Sequence, residues 1–295
     1  MTPDRKALLQ IHLCVVIWGF TAILGKLITL PALALVWWRM LLVVIALAFV
    51  PAFWRGVRKI DTRTLAIFSG IGAVLALHWL TFYGSIKLAN ASVAATCMGV
   101  APIFMSVVEP WITGRRFEKL ELLIGIAAVP GVALVVGGTP QGMRVAVAIG
   151  VLSAFLVAIF GALNKRYVEQ GDALAMTGVE LAAGTAFLTL LALFFLPSGA
   201  RIPIPDMRDA ALLLVLAMAC TLLPFALSLV ALRHVSAFSA QLAISLEPVY
   251  AVLLAMVLLG EQKELNATFY LGLAIILVTV FAHAAVQRMG DPETR

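Results

Sequence analysis

Glu247 is the residue that most needs a chemical explanation. It stands in Leu246-Glu247-Pro248-Val249-Tyr250, inside an apolar stretch that continues to Gly260. A charged side chain at bilayer depth costs about 2.5–3.5 kcal/mol on insertion scales, so it calls for a proton, a partner or a water-filled cavity. Roughly eleven residues of helix, about 16 Å, separate Glu247 from the start of its segment, which puts it near mid-membrane. Two readings stand. The carboxyl takes up a proton or a substrate amine, or it is a neutral acid tied to backbone that Pro248 frees at a bend. Gln241, Ser245 and Tyr250 flank it as candidate polar lining; Ser245 and Tyr250 equally suit helix packing.

Four further residues carry possible binding chemistry. His78 and Trp79 lie deep in an apolar segment, and Trp79 and Tyr83 share a helix face at i,i+4 spacing. An imidazole can donate, accept or carry a proton near neutral pH. Aromatic walls beside polar groups suit an amphipathic organic solute better than a bare ion. The alternative for His78 is a bond to another helix. Arg39 can fork onto a carboxylate, or snorkel to the interface with Trp37 and Trp38 as anchors. Lys26 and Glu180 read as residues near membrane boundaries that snorkel or pair, and Glu109, beside Pro110, as one that reaches water.

Enzyme chemistry finds no support. No Asp falls in an expected span, so an intramembrane aspartyl pair is missing, and neither H-E-x-x-H nor G-x-S-x-G occurs. Gly19 to Lys26 superficially suggests a phosphate loop, but five residues separate its glycines and Leu27 replaces the hydroxyl residue. Cys14, Cys97 and Cys220 are scattered in apolar runs, giving neither a disulfide framework nor metal-ligand spacing. No metal or cofactor is expected.

The elements that must position these side chains are membrane helices. The 295 residues are 63% hydrophobic and only 12% charged, about half the charge of a soluble domain. Mean hydropathy is +1.06. Ten apolar segments are predicted: 7–28, 32–53, 64–83, 91–112, 120–136, 145–164, 173–196, 210–231, 237–259 and 265–286. Arg5 and Lys6 before the first resemble a signal peptide, but the run is too long and lacks a cleavage site, so it reads as a retained span. With the N-terminus inside, fourteen Lys and Arg fall on inner segments and five on outer loops. That bias predicts cytoplasmic termini at both ends and explains the net charge of +6 without nucleic acid.

An internal repeat organises the chain. Residues 87–118 map onto 233–264 at an offset of 146: Lys87 on Arg233, Pro102 on Pro248, Gly114 on Gly260, Glu118 on Glu264. Lys26 pairs with Lys165 at offset 139. Each half holds five spans, an odd number, so the copies insert in opposite directions. The repeat also puts Pro224 at the position of His78 and predicts irregular backbone at that level in both halves.

Ile17-Trp18-Gly19-Phe20, Trp38-Arg39-Met40, His78-Trp79 with Tyr83, and Leu246-Glu247-Pro248 through Leu259-Gly260-Glu261 together resemble the drug/metabolite transporter superfamily, in its ten-span family with two EamA domains. The resemblance covers nearly the whole chain. It implies an all-α integral membrane protein of ten transmembrane helices in two inverted five-helix repeats, residues 1–140 and 141–295. It further implies a secondary transporter of small organic metabolites, amino acids first and outward, across the inner membrane. Its partners are then a small-molecule substrate, membrane lipids and protons as candidate coupling ion. The first half departs from the motif, with Ala101 where Glu247 stands and Arg115 where Glu261 stands. The membrane Glu that small multidrug pumps carry in their first span has no counterpart. Carriers of nucleotide sugars, phosphorylated metabolites or lipid-linked intermediates are the runner-up, and a non-transporting scaffold or sensor is the third.

Overall fold

The computed structural model describes residues 3–127, 129–195, 201–244 and 246–290. Every regular element among them is helical, as hydrocarbon demands of a chain that must satisfy each backbone group within its own segment. Six helices are long and apolar enough to cross a membrane, and a seventh is so if the bent pair at 32–57 counts as one span. Three shorter apolar helices, Val129–Gly138, Glu247–Leu259 and Ala267–Thr279, stand where the fifth, ninth and tenth spans are expected.

The first repeat begins with α1 (Pro3–Leu27) and α2 (Ala32–Ala48). The expected second span ran to Phe53, but α2 stops at Ala48 and the chain turns by 96° into α3 (Pro51–Val57). Pro51 disfavours helical backbone at Val50, which is extended (φ −97°, ψ 110°), and then serves as first residue of the new helix. α4 (Thr62–Leu88) follows, capped by Asp61, whose side chain accepts from the N–H groups of Arg63 and Thr64. It runs unbroken past His78, so the irregularity expected there in both halves is absent from this one.

The fourth span is two helices, α5 (Ala91–Met98) and α6 (Ala101–Thr113). After α7 (Lys119–Ala127), α8 (Val129–Gly138), α9 (Arg144–Tyr167) and α10 (Ala173–Phe195), the eighth span comprises α11 (Met207–Ala217), a π turn at Met218–Leu222 and α12 (Leu223–Leu232). Pro224 sits at the start of α12, and the wide turn absorbs its missing donor. The ninth span divides like the fourth, into α13 (Ala237–Ile244) and α14 (Glu247–Leu259), and α15 (Ala267–Gly290) ends the described chain.

The two broken spans superpose element for element at offset 146. α5 and α13 have 8 residues each, α6 and α14 have 13. Pro102 and Pro248 therefore start helices rather than bending them, at a position whose N–H needs no helical partner. Gly114 and Gly260 end them in left-handed backbone, φ 77° and 70°, where a Cβ would be strained.

Buried polar contacts tie the helices together at each end of the bundle. At one end Glu261 accepts from the N–H of Ala91 (3.0 Å), the N–H of Ser92 (2.8 Å) and the Ser92 hydroxyl (2.7 Å). There also Lys26 donates to the Ala89 carbonyl, Lys87 to that of Ile28, and Asp209 accepts from the N–H groups of Thr29 and Leu30. Asp209, expected in a loop, lies buried in the first turn of α11. At the opposite end Glu109 accepts from the N–H of Ala237 (2.9 Å) and pairs with Arg115 (3.3 Å). Lys165 donates to the Leu232 carbonyl and Arg233 to that of Gly171. Glu109 is thus buried, not in water as expected, because the exposed N–H groups at the start of α13 attract an anion.

Candidate functional site

A cavity of about 120 Å³ lies between the repeats, room for several waters or a small solute. Residues of α1, α2, α4, α5 and α6 from the first repeat and of α9, α12, α13 and α14 from the second line it, Arg39 being the contribution of α2. Its lining reaches Leu232 and Ala237, at the Glu109 end of the bundle.

Arg39 is held as firmly as any side chain here. It is 2% exposed. Its Nε donates to the Thr221 hydroxyl (2.7 Å), Nη1 to the Tyr83 hydroxyl (2.8 Å) and Nη2 to the Cys220 carbonyl (3.4 Å). Both Cys220 and Thr221 belong to the π turn. The guanidinium carbon stands 3.8 Å over the Trp79 ring, within cation–π range. Three of its five guanidinium N–H groups are thus used among the described residues. The interfacial snorkelling weighed above does not occur: α2 turns this position inward.

His78 and Trp79 both line the cavity. The Ser153 hydroxyl of α9 donates to the His78 carbonyl (2.8 Å), and His78 Nδ1 lies 3.0 Å from the Ser153 carbonyl. That pattern assigns the ring proton to Nδ1 and leaves Nε2 an acceptor. Trp79 is braced edge-on by Phe225, centroids 6.0 Å apart. Glu247 opens α14 and lines the cavity part-buried, within electrostatic reach of Arg39. A carboxylate in the first turn is also favoured by the helix dipole.

Two expected lining residues stand elsewhere. Tyr83 is completely buried behind Arg39, positioning it through the hydroxyl. Tyr250 is 39% exposed and outside the lining, its Cβ against Gly19. Ser245 and the side chain of Gln241 lie outside the described residues. The walls missed from sequence are Trp18, Phe82, Phe160 and Phe225, with Met98 and Met105. The supports missed are Ser153 and Thr221. Trp18 carried a signal, since it belongs to one of the motifs above. The others did not, because apolar residues fill nearly every position of their helices.

The sequence profile of the EamA-like transporter family matches residues 5–137 and again 144–283. The chain belongs to the EamA-like transporter family. It is therefore a two-repeat, multi-pass membrane transporter of the drug/metabolite type, with a small-molecule substrate and lipid around it. A search among curated proteins finds no match. Among solved structures, one crystal structure covers 96% of this EamA chain and 98% of its own, with 16% identity and a TM-score of 0.67. Identity that low carries the fold alone.

Proposed function

We propose that this EamA-family transporter is a secondary carrier that exports small zwitterionic metabolites, amino acids first, across the inner membrane by alternating access, with both termini cytoplasmic. One observation carries the reading: a guanidinium from the first repeat and a carboxylate from the second line the same aromatic-walled cavity. Arg39 offers its guanidinium to a solute carboxylate. Glu247 offers an anion to its ammonium, and Trp79, Phe160 and Phe225 offer apolar surface to its side chain. His78, with Nε2 free to accept, adds a third polar contact. The repeat relation supports alternating access, because two inverted copies can exchange conformations around a fixed midpoint. Lys and Arg counts support the orientation. Among the described lining residues Arg39 is the one cation, which favours a zwitterion over the several charges of a nucleotide sugar or phosphate ester.

The test is counterflow of radiolabelled L-phenylalanine in proteoliposomes, preceded by a thermal-shift screen of amino acids, since a ligand of the folded state raises its melting temperature. Glu247→Gln and Arg39→Lys are expected to lower saturable counterflow about tenfold or more, the scale of one lost charged hydrogen bond. Tyr250→Ala is expected to stay within about twofold. Wild-type rates in both charge variants would remove the site.

A further inference from the structure

Glu180 of α10 is fully buried, and neither oxygen of its carboxyl has a hydrogen-bond partner within 3.5 Å among the described residues. Two more orphaned oxygens accompany it. Asn164 of α9 lies beside the carboxyl, itself fully buried, with Oδ1 unpartnered while Nδ2 donates to the Phe160 carbonyl (3.2 Å). Thr177, one turn before Glu180 on the same helix, is fully buried with an unpartnered hydroxyl. The expectation that Glu180 snorkels is overturned by packing. Its backbone is pressed against Gly72 of α4, where any Cβ would collide with the Glu180 carbonyl.

Among the described residues no cation pairs with this acid. Arg39 of α2 is engaged with Thr221, Tyr83 and Cys220. On α4, His78 is engaged with Ser153 and Lys87 with Ile28. On α9, Lys165 is engaged with Leu232 and Arg166 with Ile112. Arg55 of α3 and Arg63 of α4 are exposed at the Glu109 end, and α12 carries no charged residue. An unpaired carboxylate in such a site costs far more than a protonated one.

The site adjoins the cavity without belonging to it. Val157, Phe160 and Gly161 line the cavity from α9, and Asn164 continues that stripe at helical spacing. One turn of helix, about 5 Å, separates it from Gly161's neighbours. Water that advances by that distance reaches the acid.

Resting on the carrier reading above, we propose that Glu180 is the transporter's proton site: its carboxyl holds one proton beside Asn164 in the conformation seen, and exchanges it with cavity water when water advances along α9 past Asn164. The O–H bond of the acid breaks, the proton passes to water, and the carboxylate left behind is hydrated. Glu247, which lines the cavity itself, serves the solute; Glu180 serves the gradient.

Two measurements on the full chain test this. Infrared spectra of the purified protein at neutral pH should show a protonated-carboxyl C=O band that Glu180→Gln removes and Asn164→Ala shifts. Absence of the band, or a band unchanged in both variants, would overturn the proposal. Should Glu180→Gln fail to fold, the Asn164→Ala spectrum decides alone. In proteoliposomes with L-phenylalanine as probe, one proton per solute sustains about tenfold accumulation for a gradient of one pH unit. Glu180→Gln should abolish that accumulation, of either sign, and leave counterflow within about twofold. Accumulation that survives in Glu180→Gln would overturn it. Wild-type protein that shows the infrared band but no L-phenylalanine flux refutes the substrate reading and leaves the proton site standing.

Discussion

At one end of the bundle Glu261 takes three hydrogen bonds from the first turn of α5; at the other, Glu109 accepts from the first turn of α13 and pairs with Arg115. The receiving turns correspond, since Ala91 and Ala237 are 146 apart, and the flanking cations Lys87 and Arg233 correspond by the same offset. The carboxylates do not correspond. Glu261 follows the left-handed Gly260, whereas Glu109 precedes Gly114 by five residues. Inversion has copied the backbone and the problem it creates, a helix start with bare N–H groups. Each end has answered with a different side chain, and the cavity extends to the Glu109 end.

The largest expected effect separates the two seals. Glu261→Ala strands three buried donors and should cost about 3 kcal/mol, read as a lowered unfolding temperature in detergent. Glu109→Gln keeps an acceptor for Ala237 and gives up the charge that faces the part-exposed Arg115, so about 1 kcal/mol is expected, diminishing with salt. Equal losses would break the comparison. Gly114→Ala and Gly260→Ala sharpen it from the backbone side. Each would meet open space, so only left-handed strain is felt, about 1 kcal/mol in both. Unequal costs would mean that the two turns are not true equivalents.

The smallest effect concerns helix caps outside the hydrocarbon. Asp61 accepts from the Thr64 hydroxyl (2.7 Å) and two N–H groups, while Asp206, its near counterpart, accepts from Asp209 N–H (2.7 Å). The Thr64 hydroxyl bond and then the backbone bonds hold the Asp61 carboxyl below the usual carboxylate range. A depressed folded value means stability present above the unfolded value of about 3.9 and lost as pH falls through the folded one. Melting temperature should therefore fall on acidification, and less steeply in Asp61→Asn.

The repeat was legible because it is written in backbone. A proline that starts a helix and a glycine that ends one in positive φ tolerate few replacements, so their spacing survives in an otherwise uniform apolar text. Glu247, His78 and Trp79 were legible for a related reason: polar or aromatic groups at bilayer depth stand out. Which way a side chain faces was not legible. Arg39 could have reached either lipid headgroups or the interior, and only the rotation of α2 decides. Glu180 and Glu109 looked like boundary residues, yet one is sealed against Gly72 and the other against a helix start. Phe160 could not be singled out in α9, where almost every neighbour is equally apolar. The turn at Pro51 was masked by apolar composition that runs on through Phe53.

That turn has a mechanical consequence. It sets α3 at 96° to α2, with Trp54 exposed and Phe53 buried. Phe53 fills the space left by Gly178, and Gly56 abuts Ala175, so α3 is keyed into the opening turns of α10. A Cβ at Gly56 or Gly178 would drive the two helices apart, so the short helix and α10 are bound to move as one piece.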